Sequence, residues 1–140
     1  MAGLSDFHQM LGQTVMYCQC IEHDIKMIYA GMKSGDYKEN LATVEREGLG
    51  PTLMLLEEVD NAQHTRFFTR DDYRLLNQVR KIRNHWVHES YTEFLYLGGK
   101  ECEDAYKSEF SRLKDENAKL FKLHKNVEKV RLQVMQIYKR

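Results

Sequence analysis

Residues 120–138 read LFKLHKNVEKVRLQVMQIY, and this stretch decides the fold class. Leu120, Leu123, Val127, Val130, Val134 and Ile137 recur at alternating steps of three and four, which draws one apolar seam along a helix. Upstream, Gly98-Gly99 punctuates the chain, so the helix is expected from about Glu103 to Tyr138. Such a seam packs inside a bundle or pairs two protomers, and the spacing leaves both open.

The opposite end of the chain repeats the pattern. Phe7, Leu11, Cys18, Ile21, Ile25, Ile28 and Met32 share a stripe that Thr14 alone interrupts, predicting a helix from an N-cap at Ser5 to about Lys33. Ser34-Gly35-Asp36 ends it, and a shorter helix covers Tyr37 to Glu47, stopping at Gly48. Gly50-Pro51 opens a third, with Leu53, Leu56 and Val59 on its apolar side, fading between Asp60 and Gln63. Thr69 followed by Asp72 resembles a capping box, so a fourth helix should run from Arg70 to about Phe94. No repeat, low-complexity tract or linker divides residues 1–140. The expectation is one all-α domain, an antiparallel helical bundle of about five helices.

Composition agrees. The chain has 140 residues, a single proline and 42% hydrophobic residues, enough for one core. No stretch approaches a continuous transmembrane run, and the start of the chain has neither the basic nor the apolar region of a secretion signal. Three cysteines, Cys18, Cys20 and Cys102, without CxxC spacing argue against a disulfide framework or a structural zinc site. A reducing, cytoplasmic setting with no membrane partner is expected. Net charge is zero, yet residues 1–65 carry an excess of acids and residues 66–140 an equal excess of bases. A basic face is therefore available to an anionic partner, unless the two halves neutralise one another.

The basic half contains Gln78-Val79-Arg80-Lys81-Ile82-Arg83-Asn84-His85-Trp86-Val87-His88-Glu89-Ser90-Tyr91. On a helix, Leu76, Val79, Ile82, Trp86 and Val87 span one apolar arc, and Arg83 falls near its middle. A guanidinium aimed at a core needs a partner or a functional cavity. Two readings follow. Arg83 bridges to a carboxylate on a neighbouring helix, such as Glu22 or Asp24, and locks the bundle, or it serves a site. Asn84 and His88 share a face, with Arg80 and Tyr91 near it, whereas Arg83 and His88 lie about 140° apart around the axis. Their convergence requires the arginine to swing round or a second copy of the helix across a two-fold axis.

Arg83-Asn84-His85-Trp86-Val87-His88 resembles the Arg-x4-6-His signature of the HEPN superfamily (higher eukaryotes and prokaryotes nucleotide-binding), including the polar residue after the arginine. The architecture resembles that family over most of the chain, the residues over about a dozen positions. The resemblance implies an all-α bundle that dimerises with its motif helices face to face. It also implies a metal-independent endoribonuclease of the toxin, abortive-infection or anti-phage type, or a silent module that binds a nucleotide or protein. RNA, a homodimer partner and an antitoxin or other protein are the implied partners. Some toxin members carry a modified tyrosine two residues beyond the histidine; here that position is Ser90, and Tyr91 follows.

In such an enzyme His88 would move protons, the work for which an imidazole, unperturbed near pH 6.5, is suited. Arg83 would hold the phosphate with its two-pronged, permanent cation. Asn84 would orient the histidine or a phosphate oxygen. Arg80 and Lys81 are candidate phosphate contacts, His85 and Tyr91 candidate substrate contacts, and Trp86 is assigned to the core. His85, His88 and Glu89 could form part of a metal site, but no convincing further ligands follow in sequence, so no metal or cofactor is expected.

Overall fold

The computed structural model describes all 140 residues, Met1–Arg140. Local chemistry sets most helix starts. Gly3 adopts a left-handed conformation at φ 76° and opens α1, Leu4–Met32, so Ser5 lies inside the first turn and makes no cap. Asp36 caps α2, Tyr37–Val44, by accepting from the Glu39 N–H. Gly48 precedes α3, Leu49–Asn61, whose first turn holds Pro51. Thr69 and Asp72 complete a reciprocal capping box at α4, Arg70–Leu76.

The expected fourth helix is two helices. Asn77 Nδ2 donates to the Tyr73 carbonyl at 2.8 Å, and the Gln78 N–H turns to the Leu75 carbonyl, which tightens the chain before α5, Val79–His88. α5 also stops short of Phe94. The Ser90 hydroxyl donates to the Trp86 carbonyl at 2.9 Å, and turns occupy the following residues. α6, Gly99–Ile137, begins ahead of Glu103. The all-α class is as expected, with six helices and no strand. No helix is long and apolar enough to cross a membrane.

α1 and α6 form the spine and run in the same direction. Tyr106 donates to the Ala2 carbonyl near their starts, Asn117 to Thr14 further along, and Arg131 pairs with Asp24 beyond that. α2 folds back along α1, where Lys26 donates to the Glu45 carbonyl and Asn40 to the Ala30 carbonyl. α5 is antiparallel to both long helices, since Arg83 meets Glu22 while Tyr91 meets His8 and Phe94 meets Tyr106. The antiparallel packing expected of the bundle is therefore that of α2 and α5. α1 and α6 lie parallel because α5 returns the chain to the end of the bundle where α1 began.

Ile21, Ile25 and Ile28 of α1 and the α6 seam from Leu120 to Val134 are buried, whereas Ile137 is 60% exposed, so the seam ends one step early. Thr14, the polar break in the α1 stripe, donates to the Met10 carbonyl and accepts from Asn117, which satisfies it inside the core. Between α3 and α4, buried Asp60 accepts from the Phe67 and Phe68 N–H groups and from the Tyr73 hydroxyl. Burial, with that hydrogen bond, pushes the Tyr73 phenol far above its ordinary range.

α1 and α6 approach closely at Gly31, where an added Cβ would lie 2.7 Å from Val134 Cγ1. Gly31→Ala is expected to destabilise the fold by about 1–3 kcal/mol through overpacking, despite alanine's higher helix propensity. Urea unfolding monitored by circular dichroism checks this, and Gly31→Ala with Val134→Ala should recover part of the loss.

Candidate functional site

α5 turns Val79, Ile82 and Trp86 into the core as its periodicity requires, but Val87, expected in the same arc, is 52% exposed. Arg83 sits at the edge of the buried face. Its Nη1 donates to both carboxylate oxygens of Glu22 at 2.6 Å, with the side chains 30% and 19% exposed. The guanidinium near the apolar arc is thus paired, and Glu22 is one of the two carboxylates anticipated for it. The other, Asp24, pairs with Arg131 and His23. Glu22 also lines a groove of about 430 Å³ between α1 and α2, together with His23, Lys26 and Tyr37.

Asn84 and His88 lie together on the outward side of α5, both exposed, as their spacing requires. Arg80 and Lys81 are exposed as well, at the rim of a cleft of about 200 Å³ that includes Leu49 and Asn77. Arg83 and His88 do not meet within one chain. The bonding groups of Arg83 point to α1, while His88 faces solvent at the last residue of the helix.

His85 departs from its expected place at a substrate. It is 8% exposed and faces α6, where Nε2 is 2.9 Å from a Glu109 oxygen. Its Nδ1 lies 3.5 Å from Glu89 Oε2 and 3.5 Å from Arg112 Nη1. Trp86 belongs to the core as assigned, and its indole N–H donates to Glu116. Arg112 bonds the other oxygen of Glu116 at 3.2 Å and stands over the Trp86 ring at 5.5 Å.

Tyr91 is half-buried with its ring against Phe7, and its hydroxyl is 2.5 Å from His8 Nδ1. Burial pushes its phenol up from the ordinary value. Ser90, the residue in the position of the modified tyrosine, is buried.

Among metal-ligating groups, His85, Glu89 and Glu93 offer donor atoms within 4.8 Å of one another. His88, weighed for such a cluster beside His85 and Glu89, is not in it. Glu93 was the residue to add, and its signal is the repeated spacing of four from His85 through Glu89. Glu109 and Glu116 carry no local signal, since they reach this site from another helix. No family model, curated protein or solved structure matches the chain.

Beneath the Arg83–Glu22 pair lies Cys18, whose thiol is pushed up to about 12 by burial and then by Glu22, with Arg83 opposing. At pH 8 a thiol reagent should therefore modify the partly exposed Cys20 and Cys102 in the native chain and spare Cys18. Mass spectrometry of the labelled protein checks this. Labelling of Cys18 should appear once denaturant is added.

Proposed function

We propose that this chain is a HEPN-like, metal-independent endoribonuclease whose active site is completed by a second copy. The observation that carries the reading is the free outward face of α5. Asn84 and His88 stand exposed beside Arg80 and Lys81, with the exposed apolar Val87 among them. A two-fold axis through that face would bring two His88 imidazoles together at a contact with an apolar centre. The Arg-x4-His resemblance supplies the chemistry. Glu22 uses Arg83 through Nη1, and the rest of the fork, preoriented by that bond, would take phosphate oxygens.

In this mechanism one His88 removes the ribose 2′-hydroxyl proton. The oxygen attacks the adjacent phosphorus, and Arg83 stabilises the charge that builds on the phosphoryl oxygens. The 5′-oxygen leaves with a proton from the second His88, and a 2′,3′-cyclic phosphate remains. DNA, which lacks the 2′-hydroxyl, is not cut.

A second reading draws on the same pair. Glu22 neutralises Arg83 at 2.6 Å, as a strut between helices would, and this favours a catalytically silent module that binds a nucleotide or protein, an antitoxin among the candidates.

Incubating the chain with single-stranded and structured RNA in EDTA separates the two. The nuclease reading expects fragments with cyclic phosphate ends, and His88→Ala should lower the rate by about 10²–10⁴-fold with helicity unchanged. Arg83→Ala should lose activity too, and sedimentation should give a dimer. RNA that stays intact at every protein concentration returns the chain to the binding module.

A further inference from the structure

We propose that the end of α5 and the turn after it form a divalent-metal site. His85 Nδ1, Glu89 and Glu93 are its ligands, and Glu109 holds the imidazole from behind. The proposal is independent of the ribonuclease reading, because none of these residues belongs to the Arg83–Asn84–His88 set.

The imidazole is already arranged as a ligand. An ionised carboxylate can only accept, so Glu109, 2.9 Å from Nε2, fixes the hydrogen on that nitrogen. In the neutral ring Nδ1 then carries the lone pair, on the side of Glu89. A carboxylate behind a metal-binding histidine sets its tautomer and raises its basicity in this way. The backbone brings in the other ligands. Glu89 follows His85 by one helical turn, and the Glu93 N–H bonds the Glu89 carbonyl at 3.2 Å, which carries the same spacing past the end of α5.

The distances fit a small ion. Tetrahedral bonds of roughly 2.0–2.1 Å separate neighbouring ligands by about 3.4 Å. His85 Nδ1 and Glu89 Oε2 are 3.5 Å apart. The three donors lie within 4.8 Å of one another, and the exposed glutamates have the freedom to close the remainder.

Charge points the same way. Glu89, Glu93, Glu109 and Glu116 crowd this end of α5 and its α6 neighbour, and Arg112 is the guanidinium among them. Arg112 Nη1 approaches Nδ1 at 3.5 Å, where it competes with a metal. Its side chain is 46% exposed, so the planar guanidinium can swing toward solvent as one unit, exchanging its bond to Glu116 for water when a metal takes Nδ1. One imidazole and two carboxylates without a thiolate suit Zn²⁺ or a similar divalent ion, with water completing the shell.

The test is titration of the EDTA-stripped full chain with Zn²⁺ by calorimetry and with Co²⁺ by visible absorption. One saturable equivalent is expected. A Glu89→Gln, Glu93→Gln double variant, which alters exposed side chains and leaves the core intact, should bind at least about 100-fold more weakly. In ¹⁵N spectra, Zn²⁺ should shift His85 Nδ1 while Nε2 keeps its hydrogen. The idea is overturned by the absence of saturable binding, or by wild-type affinity in the double variant. A thiolate-to-cobalt charge-transfer band at the first equivalent, which would assign the metal to Cys20 or Cys102, overturns it too.

Discussion

Three acidic side chains fix the rotation of α5. Glu22 of α1 takes Arg83, Glu109 of α6 takes His85, and Glu116 of α6 takes the Trp86 indole. Each polar group placed on the buried side of a helix costs free energy until it finds such a partner. Because these partners stand on two different helices, turning α5 about its axis would break all three bonds. That constraint decides which residues face outward, and so where any chemistry of Asn84 and His88 can take place.

Two kinds of chemistry consequently divide one short helix. The outward side has the exposed Arg80, Lys81 and His88. The side toward α6 and the following turn gathers carboxylates around a buried imidazole. Helical geometry separates them, since His85 and His88 are close in sequence but point to different neighbours. The Arg-x4-His spacing draws attention to the exposed histidine, while the burial and partners belong to the other one.

Much of the fold was legible because helical periodicity is written in the residues. The α1 stripe, the α6 seam and the Thr69–Asp72 cap followed from spacing, and a bridge from Arg83 to Glu22 was one of the two readings that the cost of burying charge left open. The break at Asn77 and the early end of α5 did not. Single side chains there, Asn77 and Ser90, capture backbone carbonyls in competition with a regular helix, and composition gives no hint of which will succeed. Periodicity also carries no direction, so it could not show that α1 and α6 run the same way. The misplacement of His85 has a similar origin. A helical projection assigns a face, but Glu109, which makes that face a buried one, comes from a different helix.

The parallel spine governs how the chain acquires its structure. Bonds such as Tyr106 to Ala2 join residues 104 positions apart. An up-and-down bundle closes its core between consecutive helices and gains stability as each is added. Here the principal pairing waits until the last helix has been made, and a long loop must close before the largest apolar surfaces meet. During synthesis α1 precedes α6, and although α2, α3 and α5 cover part of α1 earlier, the surface that α6 covers stays open until α6 is made. This all-helical protein therefore shares with β-sheet proteins a dependence on distant contacts, and with it a longer exposure to aggregation while it folds.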